Sequence, residues 1–356
     1  MQQSSPGPAT TPPVLSVVVP CFNEEEVIAI THRQLSAAVR KLVSAYEIIY
    51  VDDGSRDRTL EILHGIALED SNTRVLSFAR NFGHSSAVSA GLDFSTGRAI
   101  VIIDADLQDP PEVIGEMLEQ WVNGVDVAYG VRTERDGDSA FKRKTAALFY
   151  RILNRMSDTP IPLDTGDFRL MDRRVVEVLR AMPEQDRFIR GMVSWIGFRQ
   201  VAVEYRRHAR VAGTTKYPLR KMIRFAVTGI LSFSSAPLRI ATWAGFAAAC
   251  VAVGGIAYAV ASKLIFRATV PGWAATFTAV MFVSGVQLIC TGIIGEYIAR
   301  VYIQIKGRPL YIVSTAEGFA DVSGRSSADG RGVTFAAAAG PSRASLVSGR
   351  GVGQPI

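Results

Sequence analysis

Apolar residues along this chain fall into two regimes. From residue 14 to about 216, short apolar runs alternate with longer stretches whose apolar positions recur every three or four residues. The runs Leu15–Val19, Tyr46–Val51, Arg74–Phe78, Ala99–Ile103, Val125–Tyr129 and Arg199–Tyr205 read as strands. Glu24–Leu42 reads as a helix, with Val27, Ile28, Leu35, Ala38, Val39 and Leu42 on one face. Asp57–Leu68, His84–Phe94, Ala140–Met156 and Arg173–Ala181 read likewise, and Pro110 and Pro111 open a further helix near Glu112. Strand–helix alternation of this kind predicts an α/β domain with a mostly parallel sheet covered on both faces. Ligands of such sheets gather at the carboxyl ends of the strands.

The second regime begins at about residue 217. Over 217–236, Leu219, Met222, Ile223, Ala226 and Ile230 keep helical spacing while Arg220, Lys221 and Arg224 fall on another face. That pattern predicts an amphipathic helix lying in a membrane interface. Leu238–Val260 and Trp273–Ile298 are each long enough to cross about 30 Å of hydrocarbon, so 237–300 is expected to form a transmembrane hairpin. Ala244, Gly245, Ala248, Ala252 and Gly255 in its first helix permit close helix packing. Arg220, Lys221, Arg224, Arg239, Arg300, Lys306 and Arg308 flank the hairpin, against Lys263 and Arg267 in its loop. The positive-inside rule then places the soluble domain and both termini in the cytoplasm, on the cell (inner) membrane with two spans. Residues 301–314 are expected to form a cytoplasmic juxtamembrane segment. The Ser/Pro/Thr-rich arm 1–13 and the Gly/Ser/Ala-rich tail 315–356 are expected to be disordered.

Composition sharpens this division. The 356 residues are 48% hydrophobic with a net charge of +6, and the mean hydropathy of +0.19 comes mainly from 238–300. The basic residues crowd beside the apolar spans without an interleaved aromatic motif, which favours an anionic bilayer over nucleic acid. Cys21, Cys250 and Cys290 form no CxxC pair, so neither a disulfide framework nor a zinc site is expected. The N-terminal arm has no apolar signal-peptide core, so export of the soluble domain is not expected.

The candidate chemistry lies where the strands end. "VIIDADLQDPPE" sets Asp104, Asp106 and Gln108 just past a buried strand. Acidic and amide oxygens there can share a hard divalent cation with a diphosphate. "VVVPCFNEEE" places Pro20 and Phe22 as apolar walls beside Asn23 and Glu24, and "YVDDGSRDRT" places Asp52 and Asp53 after the second strand. Carboxylates there can accept from a ribose hydroxyl or a pyrimidine N–H. Each string alone also suits a helix start or a solvated turn.

Together and in order, these strings resemble glycosyltransferase family 2, the inverting nucleotide-sugar transferases of GT-A fold, over about residues 14–310. "RNFGHSSAVSAGL", "DTGDFRLM", "AGTTKYPLRKM" and "GEYIARVYIQIKGRPLYIV" narrow the resemblance to the polyprenyl-phosphate glycosyltransferases, the group of bactoprenol glucosyltransferase and dolichol-phosphate mannose synthase. The resemblance implies an α/β, Rossmann-like GT-A domain. It implies that Pro20, Asn23, Glu24, Asp53 and Asp52 hold the nucleoside and that Asp104 touches the ribose or sugar. It further implies that Asp106 and Gln108, with Asp104, bind Mg²⁺ or Mn²⁺. Arg132 and Arg135 match phosphate positions, and Arg210 and Lys216 match the acceptor loop, where anionic lipid would use the same charges. Asp167 is the carboxylate nominated as base, with Asp164 the competing choice. A homo-oligomer is implied as well, a tetramer being one candidate size.

The implied reaction is one in-line displacement, in which a polyprenyl phosphate takes a hexose from a nucleotide-sugar. "NFGHSSA" and "DTGDFRLM" favour glucose from UDP-glucose; GDP-mannose is the alternative donor. A processive polysaccharide synthase would carry Gln-x-x-Arg-Trp, whereas this chain reads "QDRFIRGMVSW". A non-catalytic nucleotide-sugar-binding membrane scaffold would be expected to lose the metal-binding string, which is intact here.

Overall fold

The computed structural model describes residues 13–132, 165–206, 236–265, 272–319 and 332–334. In chain order the soluble elements are β1 (Leu15–Cys21), α1 (Ile28–Leu42), β2 (Tyr46–Asp52), α2 (Thr59–Glu69), β3 (Thr73–Phe78), α3 (His84–Phe94), β4 (Ala99–Ile102), α4 (Val113–Val122), β5 (Val127–Arg132), β6 (Thr165–Asp172), α5 (Arg173–Ala181), α6 (Ile189–Ile196) and β7 (Gln200–Tyr205). Two long helices follow, α7 (Ala236–Ile265) and α8 (Trp273–Ile305), and then β8 (Tyr311–Glu317) and β9 (Gly332–Thr334). Among the described residues the strands form one sheet in the order β7-β5-β6-β4-β1-β2-β3-β8-β9.

β1 shows why this sheet needs two covered faces. Successive side chains of a strand point to opposite sides, and all seven residues of β1 are buried. Leu15, Val17 and Val19 join a core that includes Ile28, Leu35, Leu63 and Met117 of α1, α2 and α4. Val18, pointing the other way, joins Val88 and Leu92 of α3, Val175 of α5 and Met192 of α6. Each fully buried Val or Leu contributes about 1.5–3 kcal/mol. The α3 side is packed so closely that a Cβ at Gly91 would lie 2.1 Å from Val18 Cγ1.

β1 pairs in parallel with β2 and β4, β2 with β3, and β5 with β7. The mostly parallel sheet expected from the sequence is therefore present. β6 is an addition: it runs antiparallel between β4 and β5. Its string "TGDFRLMD" alternates Asp167 and Arg169 with Phe168 and Leu170, which reads as a polar loop until its charged face finds partners. α6 was also not anticipated. α1 starts at Ile28 rather than Glu24, because the Glu24 carbonyl accepts from Val27 and Ile28 N–H in a preceding turn.

The expected boundary between a juxtamembrane segment (301–314) and a disordered tail (315–356) is corrected by β8, which spans it. β8 pairs antiparallel with β3 and covers that edge. Tyr311 and Val313 are buried, Tyr311 stacks on Phe78 at 5.3 Å, and its hydroxyl donates to Asp93 Oδ2 at 2.9 Å. The soluble domain therefore closes after the long helices rather than at β7.

α7 and α8 contain apolar windows, Pro237–Gly255 and Thr278–Ile305, long and apolar enough to cross a membrane. Their large side chains face outward, Trp243 with 70% of its surface accessible. The two helices touch, with Cys290 Sγ 3.6 Å from the Ala241 carbonyl. The expected interfacial helix and the expected helix Ala140–Met156 lie outside the described residues.

Candidate active site

The carboxyl ends of β1, β2 and β4 carry three loops, of which the first two hold one another. After β1, Asn23 takes a left-handed backbone (φ 53°); its N–H donates to Ser55 Oγ at 2.9 Å and its Oδ1 accepts from Arg56 N–H at 2.8 Å. Glu24 N–H donates to Thr59 Oγ1 at 2.8 Å. Pro20 is buried within β1, while Asn23 and Glu24 are half-buried and Phe22 is exposed at the rim. After β2, Asp52 is 1% exposed; its Oδ1 accepts from Ser55 N–H and its Oδ2 from Ser77 Oγ, at 3.1 and 2.9 Å. Both oxygens of Asp52 thus serve the scaffold of the loop. Asp53, also buried, accepts from Phe82 N–H at 2.6 Å and Gly83 N–H at 2.9 Å and so shapes the approach to α3. Burial raises the Asp53 pKa above the ordinary carboxylate value, and the two N–H groups only partly oppose it. Gly54 is required at the bend: its φ is 67° and a Cβ would lie 2.5 Å from the Arg80 carbonyl carbon.

After β4, residues alternate in burial. Ala105, Leu107 and Asp109 are buried, and Asp104, Asp106 and Gln108 are half-exposed. Leu107 has φ 56°, a strained position for a branched side chain, and Asp106 Oδ1 accepts from Gln108 N–H across it at 3.2 Å. Thr31 Oγ1 of α1 donates to the Ala105 carbonyl at 2.6 Å and pins the loop. Three residues with hard oxygen donors, Asp104, Asp106 and Gln108, therefore keep partial exposure in one short loop.

Asp104 and Asp167 come together through a residue to which the sequence reading assigned no role. His84, the first residue of α3, lies with Nε2 3.0 Å from Asp104 Oδ1 and Nδ1 3.9 Å from Asp167 Oδ2. Arg190 of α6 grips Asp167 with two hydrogen bonds, Nε to Oδ1 at 2.8 Å and Nη2 to Oδ2 at 3.0 Å. Arg169, 3% exposed, flanks Asp167 and donates to the Gly166 carbonyl at 3.0 Å. Three cations thus surround two carboxylates.

This charge set governs the protonation states. Burial opposes a charged His84, but the Asp104 hydrogen bond and charge, followed by the Asp167 charge, raise its pKa to about 9. Burial pushes Asp104 up, and His84 more than reverses it, leaving Asp104 below the usual value. Burial likewise opposes an ionised Asp167, yet Arg190, with His84 and Arg169 behind it, holds its pKa far below the usual carboxylate range. Burial pushes Arg169 down to about 10 despite Asp167 beside it. At neutral pH all five groups are charged.

Arg132, at the end of β5, reaches the same loop from the other side. Its Nη2 lies 3.7 Å from Asp109 Oδ1, its Nε donates to the Tyr205 hydroxyl at 3.2 Å, and that hydroxyl donates to Asp109. Gly166 makes room for it, since a Cβ there would lie 2.7 Å from Arg132 Nη2. Arg135, Asp164, Arg210 and Lys216 lie outside the described residues.

The donor set suits a hard divalent ion that takes part of its shell from a ligand. Asp104, Asp106 and Gln108 offer carboxylate and amide oxygens, with no thiolate among them. Among the described residues no three His, Cys, Asp or Glu side chains close a metal shell alone. Such a shell suits Mg²⁺ or Mn²⁺ shared with phosphate oxygens.

A doubly covered, mostly parallel sheet with carboxylate and amide residues past the ends of its strands fits the GT-A class of nucleotide-sugar enzymes. Glycosyl transferase family 2 matches residues 16–180, and the GtrB C-terminal hairpin matches 236–301. An uncharacterised glycosyltransferase of Bacillus subtilis is 47% identical over 85% of this chain and 94% of its own. A prophage bactoprenol glucosyl transferase homologue of Escherichia coli is 43% identical over 84% and 98%. The bactoprenol glucosyl transferase of Shigella phage SfII is 42% identical over 84% and 97%. The chain belongs to glycosyltransferase family 2 and is a transferase enzyme of GT-A fold with two apolar helices.

Proposed function

We propose that this enzyme transfers glucose from UDP-glucose to the phosphate of a membrane polyprenol, with inversion at the anomeric carbon. One observation carries the reading: a single chain joins a domain with carboxylate and amide residues just past its buried β4 strand to two apolar helices of 30 and 33 residues. A nucleotide-sugar is water-soluble, whereas a prenyl chain leaves the bilayer at a cost of about 0.8 kcal/mol per CH₂. An enzyme joining the two must hold its cleft beside the membrane. The names of the bactoprenol-linked relatives support the same acceptor and sugar.

In the proposed reaction an acceptor phosphate oxygen forms a bond to the anomeric carbon. The bond to the nucleoside diphosphate breaks, and its electron pair leaves on the diphosphate oxygen. The acceptor phosphate has its second pKa near about 6, so at neutral pH it is largely a dianion and no proton need be removed. The Arg190 grip on Asp167, with the low pKa that follows, supports an orienting and charge-balancing role for that carboxylate over that of a base. Asp106 and Gln108, with Asp104, would hold Mg²⁺ or Mn²⁺, which when bound offsets the charge of the departing diphosphate. Pro20, Asn23, Glu24 and Asp53 line the nucleoside side, with Asp52 behind them as scaffold. Arg132, and with it Arg135, Arg210 and Lys216, is assigned to phosphate and acceptor contacts.

The excess of basic residues outside the two spans supports a cytoplasmic catalytic domain with cytoplasmic termini. A Cβ added at Gly245 or Gly255 meets nothing within 4 Å, so the small-residue face of α7 has room for a second copy and supports a homo-oligomer.

The test uses the purified full chain in lipid, short prenyl phosphates and radiolabelled UDP-glucose, other UDP-sugars and GDP-mannose, with Mg²⁺, with Mn²⁺ and with chelator. The expected product is a prenyl-phosphate glucose formed only with metal. Transfer from GDP-mannose alone would replace the donor assignment, and failure of every donor would overturn the reaction. Asp106→Ala and Gln108→Ala should abolish turnover; unchanged rates would remove the metal assignment.

A further inference from the structure

α8 is longer than a bilayer requires. At 33 residues it extends about 50 Å, against about 30 Å of hydrocarbon. Its final turns carry Glu296, Arg300 and Gln304, spaced by four and so stacked on one face. That face is bonded to the catalytic domain. Arg300 Nη1 donates to Asp186 Oδ2 at 2.5 Å, Gln304 Nε2 donates to the Pro183 carbonyl at 2.7 Å, and Gln304 Oε1 accepts from Gln185 N–H at 2.9 Å. Glu296 stands behind Arg300 at 3.8 Å.

The segment receiving these contacts, 182–188, leads into α6. Arg187, 6% exposed, pins its inner side, donating to Ser89 Oγ of α3 at 3.2 Å and to the Leu179 and Met182 carbonyls at 2.8 Å each. Three residues further on, Arg190 grips Asp167. α3 also carries His84, the bridge to Asp104. One short stretch of backbone thus takes the end of a membrane helix on its outer side and delivers the arginine that orients a site carboxylate.

We propose that Arg300 and Gln304 are positioning residues, forming a latch that fixes segment 183–190, and with it Arg190 and Asp167, relative to the bilayer helix. The proposal deepens the assigned reaction and rests on it for its catalytic readout. An isolated surface ion pair would contribute little. Here Gln304 donates to and accepts from backbone groups of the same segment that Arg300 holds by a side chain, and three contacts on one segment define an orientation. The acceptor phosphate is confined to the plane of the bilayer surface, so the height and tilt of the site are set by whatever ties it to a spanning helix. Misplacement by about 1 Å can cost up to about 100-fold in rate.

The test uses the full chain in lipid. Arg300→Ala combined with Gln304→Ala should lower kcat for transfer to prenyl phosphate about tenfold, with KM for the nucleotide-sugar within twofold of wild type. Asp186→Arg and Arg300→Asp should each lower kcat, and together restore it to within threefold. Backbone amides of 183–190 should exchange hydrogen faster in the latch variants with no substrate present. Unchanged kcat, unchanged exchange, or no rescue by the reversed pair would each overturn the latch. A wild-type chain inactive on every prenyl phosphate would instead sink the assigned reaction, and the exchange measurement would still decide whether the contact orders the segment.

Discussion

Replacing Arg190 with alanine removes both hydrogen bonds to Asp167 and leaves that carboxylate with His84 and Arg169. The two side chains of the pair are 23% and 20% exposed, so solvent replaces the lost partner only in part. A hydrogen bond to a charged group contributes about 1.5–3 kcal/mol, and breaking a buried pair costs about 3–5 kcal/mol. With two other cations nearby, the expected loss for Arg190→Ala at pH 7 is about 2–3 kcal/mol. The pH dependence follows from direction alone. A carboxylate whose folded pKa is depressed adds stability above its unfolded pKa, near about 3.9, and loses it as pH falls through the folded value. The gap between wild type and Arg190→Ala should therefore be full at neutral pH, narrow once pH falls below the unfolded value, and close only as pH passes through the much lower folded value. Arg190→Lys keeps the charge but not the planar fork and should recover less than half. Urea unfolding of the catalytic domain, followed at pH 7 and at pH 3, measures the gap, and kcat measures the loss of orientation. A variant within about 0.5 kcal/mol of wild type at pH 7, or a gap that persists unchanged in acid, would refute the reasoning.

His84 should give the opposite pH dependence. With its folded pKa raised to about 9, its contribution is complete below the unfolded value near about 6.5 and disappears as pH rises through about 9. The full shift converts to roughly 3 kcal/mol, which 43% side-chain exposure reduces to about 1–2 kcal/mol. Thermal melts of metal-free wild type and His84→Gln should differ at pH 6 and converge by pH 10; a constant difference counts against the assignment. Gly91→Ala should destabilise by about 1–3 kcal/mol through its clash with Val18, and Val18→Ala in the same chain should recover part of it, as read by urea midpoints. Ending the chain after Pro309 should cost about 4–6 kcal/mol, because Leu310, Tyr311 and Val313 lose their burial against β3. A truncated chain as soluble and as stable as the full one would show that β8 is dispensable.

Much of the soluble domain was legible because its strands are buried on both faces. A run such as Leu15–Val19 has no other use in a soluble fold, and the helix His84–Phe94 has the bounds its spacing predicts. β6 was missed for a physical reason. Asp167 and Arg169 look like solvated loop residues until Arg190, His84 and the β4 and β5 ladders surround them. β8 was missed because it continues into a tail rich in small residues, and its burial depends on an edge of β3 far away in sequence.

The site divides in the same way. Asp104, Asp106 and Gln108 were legible because they follow a buried strand and stand in order with the other strings, whereas alone they would read as a solvated turn. His84 and Arg190 belong to strings that were noticed, but their charges matter only where α3 and α6 bring them to the same carboxylate. Asp52 reads as an equal partner of Asp53 in sequence, and the fold turns it to Ser55 and Ser77 instead.

Sequence alone determined the α/β order of the domain, the carboxylate and amide residues after β4 and the two apolar helices, because each depends on spacing or composition within one stretch of chain. Tertiary structure alone decided which charges share a carboxylate, which strand closes the β3 edge and where α8 grips the catalytic domain. Those are contacts between residues tens to hundreds of positions apart, and no local pattern encodes the distance between them.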